Sequence, residues 1–166
     1  MLNATELKAL IEEEGLVSGY VDLEKQLQPS GFDLSLAEVR CFKGGGSVDF
    51  SNEGRRIAET EPLKPSKEGW YELPQGCYTI VYNEAVKMPL DLAAIARTRS
   101  TLLRNGAAVE TAVWDPGYQG RSSSLLVVSN PSGIRIKANA RVAQLIFFKT
   151  GEGGLGYDGI FQGERL

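Results

Sequence analysis

From Gly31 to Lys149 the chain is a succession of short strand-like runs punctuated by glycine and proline, and this pattern restricts its fold most. Residues 32–39 alternate loosely, and Lys43-Gly-Gly-Gly-Ser47 reads as a flexible turn. Residues 70–73 and 77–82 are strand-like and flank the turn sequence Pro74-Gln-Gly76. Runs at 107–114, 124–129, 134–136 and 141–149 follow at spacings that suit an all-β barrel or sandwich. Short helical turns fit at 89–93 and 100–103. With 166 residues and no internal repeat, the chain reads as a single domain over 1–166, able to bury roughly two-thirds of its unfolded surface.

The N-terminus departs from this pattern. Asn3 is placed to cap a helix, Glu6 follows three residues later as in a capping box, and Leu7, Leu10 and Ile11 form an i, i+3, i+4 stripe. Gly15 stops the helix. At the other end, four glycines in the six residues from Gly151 lead into an aromatic-rich tail, which fits either a mobile lid over 151–166 or a frayed terminus.

Composition narrows the chemistry. The chain has no histidine, which excludes Ser-His-Asp and Cys-His nucleophile systems and His-ligated zinc or iron. Zinc-dependent nucleobase deamination falls with them, since it needs a His/Cys/Cys set. Cys41 and Cys77 lack metal-ligand spacing and read as small buried apolar side chains. Together with the lack of a signal-peptide pattern they point to a reducing cytoplasm. The balance of 18 basic and 21 acidic residues builds no field for nucleic acid, so a phosphate ligand has to be met by locally clustered arginines. No apolar run approaches the ~20 residues that span a bilayer, so no membrane association is expected.

Three blocks carry residues suited to a nucleoside triphosphate. Arg99-Ser100-Thr101 with Arg104 offers planar guanidinium forks and neutral hydroxyl donors, and a helical turn starting at Ser100 would add free N–H groups. Taken alone, Arg-Ser-Thr reads rather as a surface loop with ordinary charges. Trp114-Asp115-Pro116-Gly117-Tyr118 suits a type II turn with Asp115 leading a hairpin; an aspartate before Pro-Gly is itself a common turn former. Gln144 lies in an almost continuous apolar run, where an unmatched buried amide costs ~1–3 kcal/mol, so it is bonded to protein or aimed at ligand and water.

These blocks, with Pro29-Ser-Gly-Phe-Asp-Leu-Ser-Leu36 before them and Tyr157-Asp-Gly-Ile-Phe-Gln-Gly-Glu164 after, resemble the dUTPase/dCTP deaminase superfamily, most closely its archaeal-type dUTPase branch. The resemblance implies a mainly β fold, a distorted β-barrel of the dUTPase-like β-clip type with an N-terminal helix, assembled as a homotrimer. It implies dUTP diphosphatase activity, dUTP and water giving dUMP and pyrophosphate. Asp115 would be the catalytic residue, orienting and deprotonating a water for in-line attack on the α-phosphorus, an assistance worth ~10²–10⁴ in rate. Arg99, Ser100, Thr101, Arg104 and Gln144 would hold phosphates, Tyr118 would pack on the deoxyribose and exclude a 2′-hydroxyl, and Phe161 and Gln162 would close over the nucleotide. A backbone N–H/C=O pair from residues 110–118 would read uracil. Mg²⁺ would be held mainly through the phosphates, with no protein ligands of its own. Asp33 matches the first motif and fits an arginine partner, a metal-bound water or a structural ion pair.

Two other readings stay open. The deaminase branch carries a glutamate ten residues beyond the aspartate; here that position is Leu125, and no acid lies between Arg121 and Asn130. A dCTP deaminase is therefore disfavoured. A non-catalytic deoxynucleotide-binding sensor would keep the pocket without turnover.

Overall fold

Asn3 performs the capping its spacing predicts. Its side chain accepts from the N–H groups of Thr5 and Glu6, while the Glu6 carboxylate accepts from Asn3 N at 2.9 Å. Helix α1 (Ala4–Glu14) ends at Gly15 in the left-handed conformation, φ 69°. Leu7 and Ile11 are buried and Leu10 packs at the edge of the same core. The computed structural model describes residues 1–151 and 154–166, so Glu152 and Gly153 of the expected 151–166 lid lie outside the described residues.

Past the helix come β1 (Val17–Ser18), the single turn α2 (Leu23–Gln26), β2 (Leu27–Gln28) and the long β3 (Gly31–Phe42). Then follow β4 (Thr60–Pro62), β5 (Trp70–Leu73), β6 (Gly76–Tyr82), β7 (Ala85–Lys87) and β8 (Leu92–Thr98). After α3 (Ser100–Arg104) the chain forms β9 (Ala107–Glu110), β10 (Gln119–Gly120), β11 (Ser123–Val128), β12 (Ile134–Lys137) and β13 (Arg141–Lys149). The main sheet runs β8-β13-β3-β6-β11-β9, with β2 and β4 also on β3. Its two ends meet: Thr98 Oγ1 on β8 accepts from Val109 N at 2.8 Å and donates to Val109 O at 2.9 Å on β9. A near-closed barrel results, as the resemblance implied, with Phe32, Leu34, Leu36, Ile80, Tyr82, Leu145 and Phe147 filling it.

Several sequence expectations need correction. The alternation of Phe32, Leu34 and Leu36 with Asp33 and Ser35 is present, but residues 31–36 of β3 are buried on both faces, so its polar members are sealed and do not face solvent. Segment 107–114 stays a strand only to Glu110; Trp114 makes an isolated bridge to Ala94. Residues 89–93 hold no helix. Instead β8 begins at Leu92, an alanine-rich strand of weak intrinsic β preference that exists because β13 pairs with it from Thr98 to Leu92. Cys41 is half-buried and Cys77 exposed, because Cys77 opens β6 on its outward face. The strands flanking Pro74-Gln-Gly76 do not pair with each other: β5 joins β12, and β6 lies between β3 and β11.

Candidate active site

Gly31 allows β3 to press against β13, since a Cβ there would collide with the Leu145 carbonyl. That close approach sets Asp33 directly opposite Gln144, which in turn lies opposite Arg97 on β8. Directly opposed residues share a face, so Asp33, Gln144 and Arg97 form a row across three strands. Asp33 is 1% exposed, and one oxygen, Oδ2, takes both Arg99 Nε at 3.1 Å and Arg141 Nη1 at 3.2 Å. Its other oxygen, Oδ1, is buried without a donor among the described residues. Burial pushes the Asp33 carboxyl up, against the pull of Arg99 and then Arg141.

Arg99 is extended, φ −65° and ψ 141°, and precedes the five-residue α3, whose start carries no side-chain cap. Buried Leu102 anchors that turn, leaving Ser100, Thr101 and Arg104 exposed. Arg99, Thr101 and Arg141 line an open cavity of about 1150 Å³, together with Trp70, Arg135 and Lys137. Arg135 stacks over the Trp70 ring at 4.9 Å. Gln144 is half-buried, not buried as its apolar neighbours suggested, and its amide meets no protein partner among the described residues.

The Pro116-Gly117 turn forms as expected. Gly117 has φ 79°, and Tyr118 N donates to Asp115 O at 3.2 Å. Its two arms go to different strands, however: Trp114 to Ala94 on β8, and Gln119–Gly120 to β7. The turn is therefore clamped between two sheets and is not a free hairpin. Trp114 is buried and donates Nε1–H to Ser122 Oγ at 2.7 Å, giving the turn a fixed floor. On it, Asp115, Tyr118, Ser122 and Phe161 line a smaller cavity of about 350 Å³. Asp115 is exposed, and its carboxylate makes no protein hydrogen bond among the described residues. Trp114, Gly117 and Tyr118 spend their backbone N–H groups inside the fold, whereas residues 111–113 make no backbone bond among the described residues.

The C-terminal tail roofs this cavity from its own chain. Tyr157 N donates to Pro116 O at 2.7 Å, Gly163 N to Gln119 O at 2.7 Å, and Arg121 N to Glu164 O at 2.9 Å. Gln162 bridges the turn with both ends of its amide, accepting from Gln119 N and donating to Gly117 O, each at 2.9 Å. The Tyr157 ring meets Tyr118 edge-on, and Tyr118 OH donates to Glu164 Oε1 at 3.1 Å. Burial, with the Glu164 carboxylate beside it, pushes the Tyr118 phenol up.

Within one chain, then, the expected residues fall into two groups. Asp115, Tyr118 and Phe161 share the smaller cavity, while Arg99 and Thr101 line the larger one; Ser100, Arg104 and Gln144 line neither. Gln162 faces the turn backbone, not the cavity. Sequence reading missed Glu164, Trp114 with Ser122, and the double arginine grip on Asp33. The Tyr118–Glu164 contact and the two arginines on Asp33 join residues far apart in sequence, whereas Trp114 and Ser122 are eight residues apart across the turn. Only for Asp33 does the sequence offer an arginine partner as one expectation.

A dCTP deaminase-like family model matches residues 1–150. A Methanosarcina mazei protein named "Probable deoxyuridine 5'-triphosphate nucleotidohydrolase" is 47% identical, with 99% of this chain and 98% of that one aligned. An Archaeoglobus fulgidus protein of the same name is 46% identical over 100% of this chain and 98% of its own. Among solved structures, the 2'-deoxycytidine 5'-triphosphate deaminase of Agrobacterium tumefaciens shares the fold. It superposes with a TM-score of 0.68 at 20% identity, over 90% of this chain and 47% of that one. No helix among the described residues is long and apolar enough to cross a membrane. By its motifs, its barrel and its full-length archaeal relatives, the chain belongs to the dUTPase/dCTP deaminase superfamily, in the archaeal-type dUTPase branch.

Proposed function

We propose that the protein is a dUTP diphosphatase that hydrolyses dUTP to dUMP and pyrophosphate, acting in the cytoplasm on a small-molecule substrate and on neither nucleic acid nor membrane. The observation that carries this reading is Asp115: an exposed carboxylate without a protein partner among the described residues, fixed at a rigid turn beside Tyr118. Such a group is free to hold a water and take its proton. The water oxygen attacks the α-phosphorus, the bond from phosphorus to the bridging oxygen breaks, and pyrophosphate leaves. Arg99, Ser100, Thr101, Arg104 and Gln144 neutralise and align the phosphates. Tyr118 faces the sugar, and the tail brings Phe161 over the nucleoside while Gln162 holds the tail in place.

Uracil recognition needs an unspent backbone donor and acceptor, and residues 111–113 supply them. Cytosine would meet the same groups with its own donors and acceptors reversed, a mismatch that rejects a ligand by up to ~10⁴–10⁵. Leu125 stands where a deaminase needs its glutamate. Glu110 faces Leu125 from β9, one strand away, a proximity invisible to counting along the chain. dCTP is thus the second substrate to assay.

Mg²⁺ fits this site as a companion of the phosphates. The described residues offer no cluster of three or more acidic or thiol groups to cage it, but Asp33 Oδ1 is an unsatisfied carboxylate oxygen beside the arginines. Asp33 would accept from water on the ion, which would supply charge neutralisation and orientation of the triphosphate. The separation of Asp115 and the arginines into two cavities supports a homotrimer in which neighbouring copies complete each site. Each copy contributes one dUTPase-like domain, residues 1–166, with 151–166 as its lid.

The decisive assay is pyrophosphate release from dUTP by wild type and Asp115→Asn. The amide keeps the turn but cannot accept a proton, so kcat should fall by ~10²–10⁴ with dUMP affinity retained. Turnover at the wild-type rate in that variant would remove the mechanism, and tight dUTP binding without turnover in wild type would make the protein a sensor.

A further inference from the structure

Behind the arginine pair lies a buried polar array that no step above uses. Gln26, at the end of α2, is 2% exposed, and Glu84, just before β7, is 1% exposed. The Gln26 side-chain oxygen accepts from the backbone N–H groups of Val21 at 2.7 Å and Asp22 at 2.9 Å, which fixes the orientation of its amide. Its Nε2 must then point inward, where it donates to Asp33 O at 2.8 Å and to Glu84 Oε1 at 2.6 Å. Glu84 has no cationic partner among the described residues; it accepts from Gln26 Nε2, Ser35 Oγ at 2.6 Å and Ser35 N at 2.9 Å. The same α2 turn offers the Lys25 carbonyl to Arg141 Nη1, the atom that also reaches Asp33 Oδ2.

Two features make this more than core filling. The array closes on the residue that holds both phosphate-side arginines, and it does so through the Asp33 backbone. A carboxylate whose only donors among the described residues are two partly exposed arginines gets little orientation from them; its place is set by where β3 is pinned. The buried charge of Glu84 is costly unless every lone pair in use has a donor, and Gln26 is one of only two residues that donate to it among the described residues.

We propose that Gln26, locked by Glu84, is a positioning residue for the triphosphate: it pins the Asp33 backbone and thereby sets the guanidinium groups of Arg99 and Arg141. This rests on the phosphate role proposed for Arg99, whose cavity Arg141 also lines. Neither Gln26 nor Glu84 touches the nucleotide; both act through Asp33. Ser35 belongs to the same array: its Oγ donates to Glu84 Oε1, the oxygen that Gln26 also reaches, and it lies opposite Arg141 on β13.

The test uses the full chain and inorganic tripolyphosphate as the probe, titrated calorimetrically against wild type, Gln26→Met, Glu84→Gln and Ser35→Ala, with dUMP and melting temperature measured on each. Gln26→Met removes both inward donors at similar volume and should weaken tripolyphosphate and raise the dUTP KM about tenfold, since misplaced positioning groups lose such factors. Affinity for dUMP, which lacks the outer phosphates, should stay within about twofold of wild type. Glu84→Gln keeps the shape but turns an N–H toward an existing donor, so it should weaken tripolyphosphate in the same direction if Gln26→Met does not fold. Ser35→Ala removes the other side-chain donor to Glu84 Oε1 and should weaken tripolyphosphate in the same direction, by less than Gln26→Met, with dUMP affinity kept. Undiminished tripolyphosphate affinity in the folded Gln26 and Glu84 variants would overturn the inference, as would parallel losses for tripolyphosphate and dUMP. A wild type that binds tripolyphosphate but does not hydrolyse dUTP would sink the proposed function instead, leaving this comparison intact.

Discussion

Gln162→Ala is the perturbation whose size the structure defines best. The side chain contributes two neutral hydrogen bonds, from Gln119 N and to Gly117 O, each 2.9 Å long and solvent-exposed. At the low end of the net range for such bonds, the pair holds the closed tail by about 1–2 kcal/mol, or roughly 5- to 30-fold in the open-to-closed ratio. The tail would still dock, because the Tyr157, Gly163 and Arg121 backbone bonds and the Tyr118–Glu164 contact remain. It would simply open more often. Native-state amide exchange reads this directly: the amides of Tyr157, Gly163 and Arg121 should exchange faster by about that factor, whereas those of Ile80 and Leu145 in the barrel should not change. Under the proposed function the same variant releases dUMP faster and shows a higher KM, since Phe161 belongs to the roof. Unaltered tail amides, or an equal acceleration in the barrel, would refute the latch.

Two further outcomes follow from the buried acids and the divided site. Burial pushes the Glu84 carboxyl up, against the donors from Ser35 and Gln26. The folded chain then binds more protons than the unfolded one between the ordinary carboxylate pKa, near ~4.3, and the raised value, so stability is lost as pH climbs through that window. Glu84→Gln abolishes this titration, and its stability relative to wild type should improve as pH rises there; parallel urea-melting profiles would contradict it. If neighbouring copies complete each site, co-refolding the separately inactive Asp115→Asn and Arg99→Ala chains in equal amounts should regenerate dUTP turnover at about a quarter of the sites. No recovery would mean that both groups act within one chain.

How much was legible depended on the range of the interactions. Helix α1 could be read to the residue because capping box, apolar stripe and αL glycine all lie within its own span. The Pro116-Gly117 turn was legible for the same reason: its conformation is set by a ring and a missing Cβ. Strand β13 announced itself through a long apolar run, but β8 did not, since Ala93, Ala94 and Ala96 have little β preference and become a strand only by pairing. At the site, residue types marked Asp115, Tyr118 and the Arg99 block. Their division between two cavities, and the engagement of Gln162 by the turn itself, were not encoded in any local window.

What the chain alone determined was its family, its β-rich character and the kinds of group available for chemistry: with no histidine, a phosphate-directed reaction falls to carboxylate, arginine and amide. Tertiary structure decided which of those groups are free to act. Asp33 and Asp115 are the same side chain, yet one is sealed under two arginines and the other stands exposed beside a cavity. The physical reason is that burial and partnership arise from strands brought together across the barrel, over separations far longer than the few residues on which composition and spacing act.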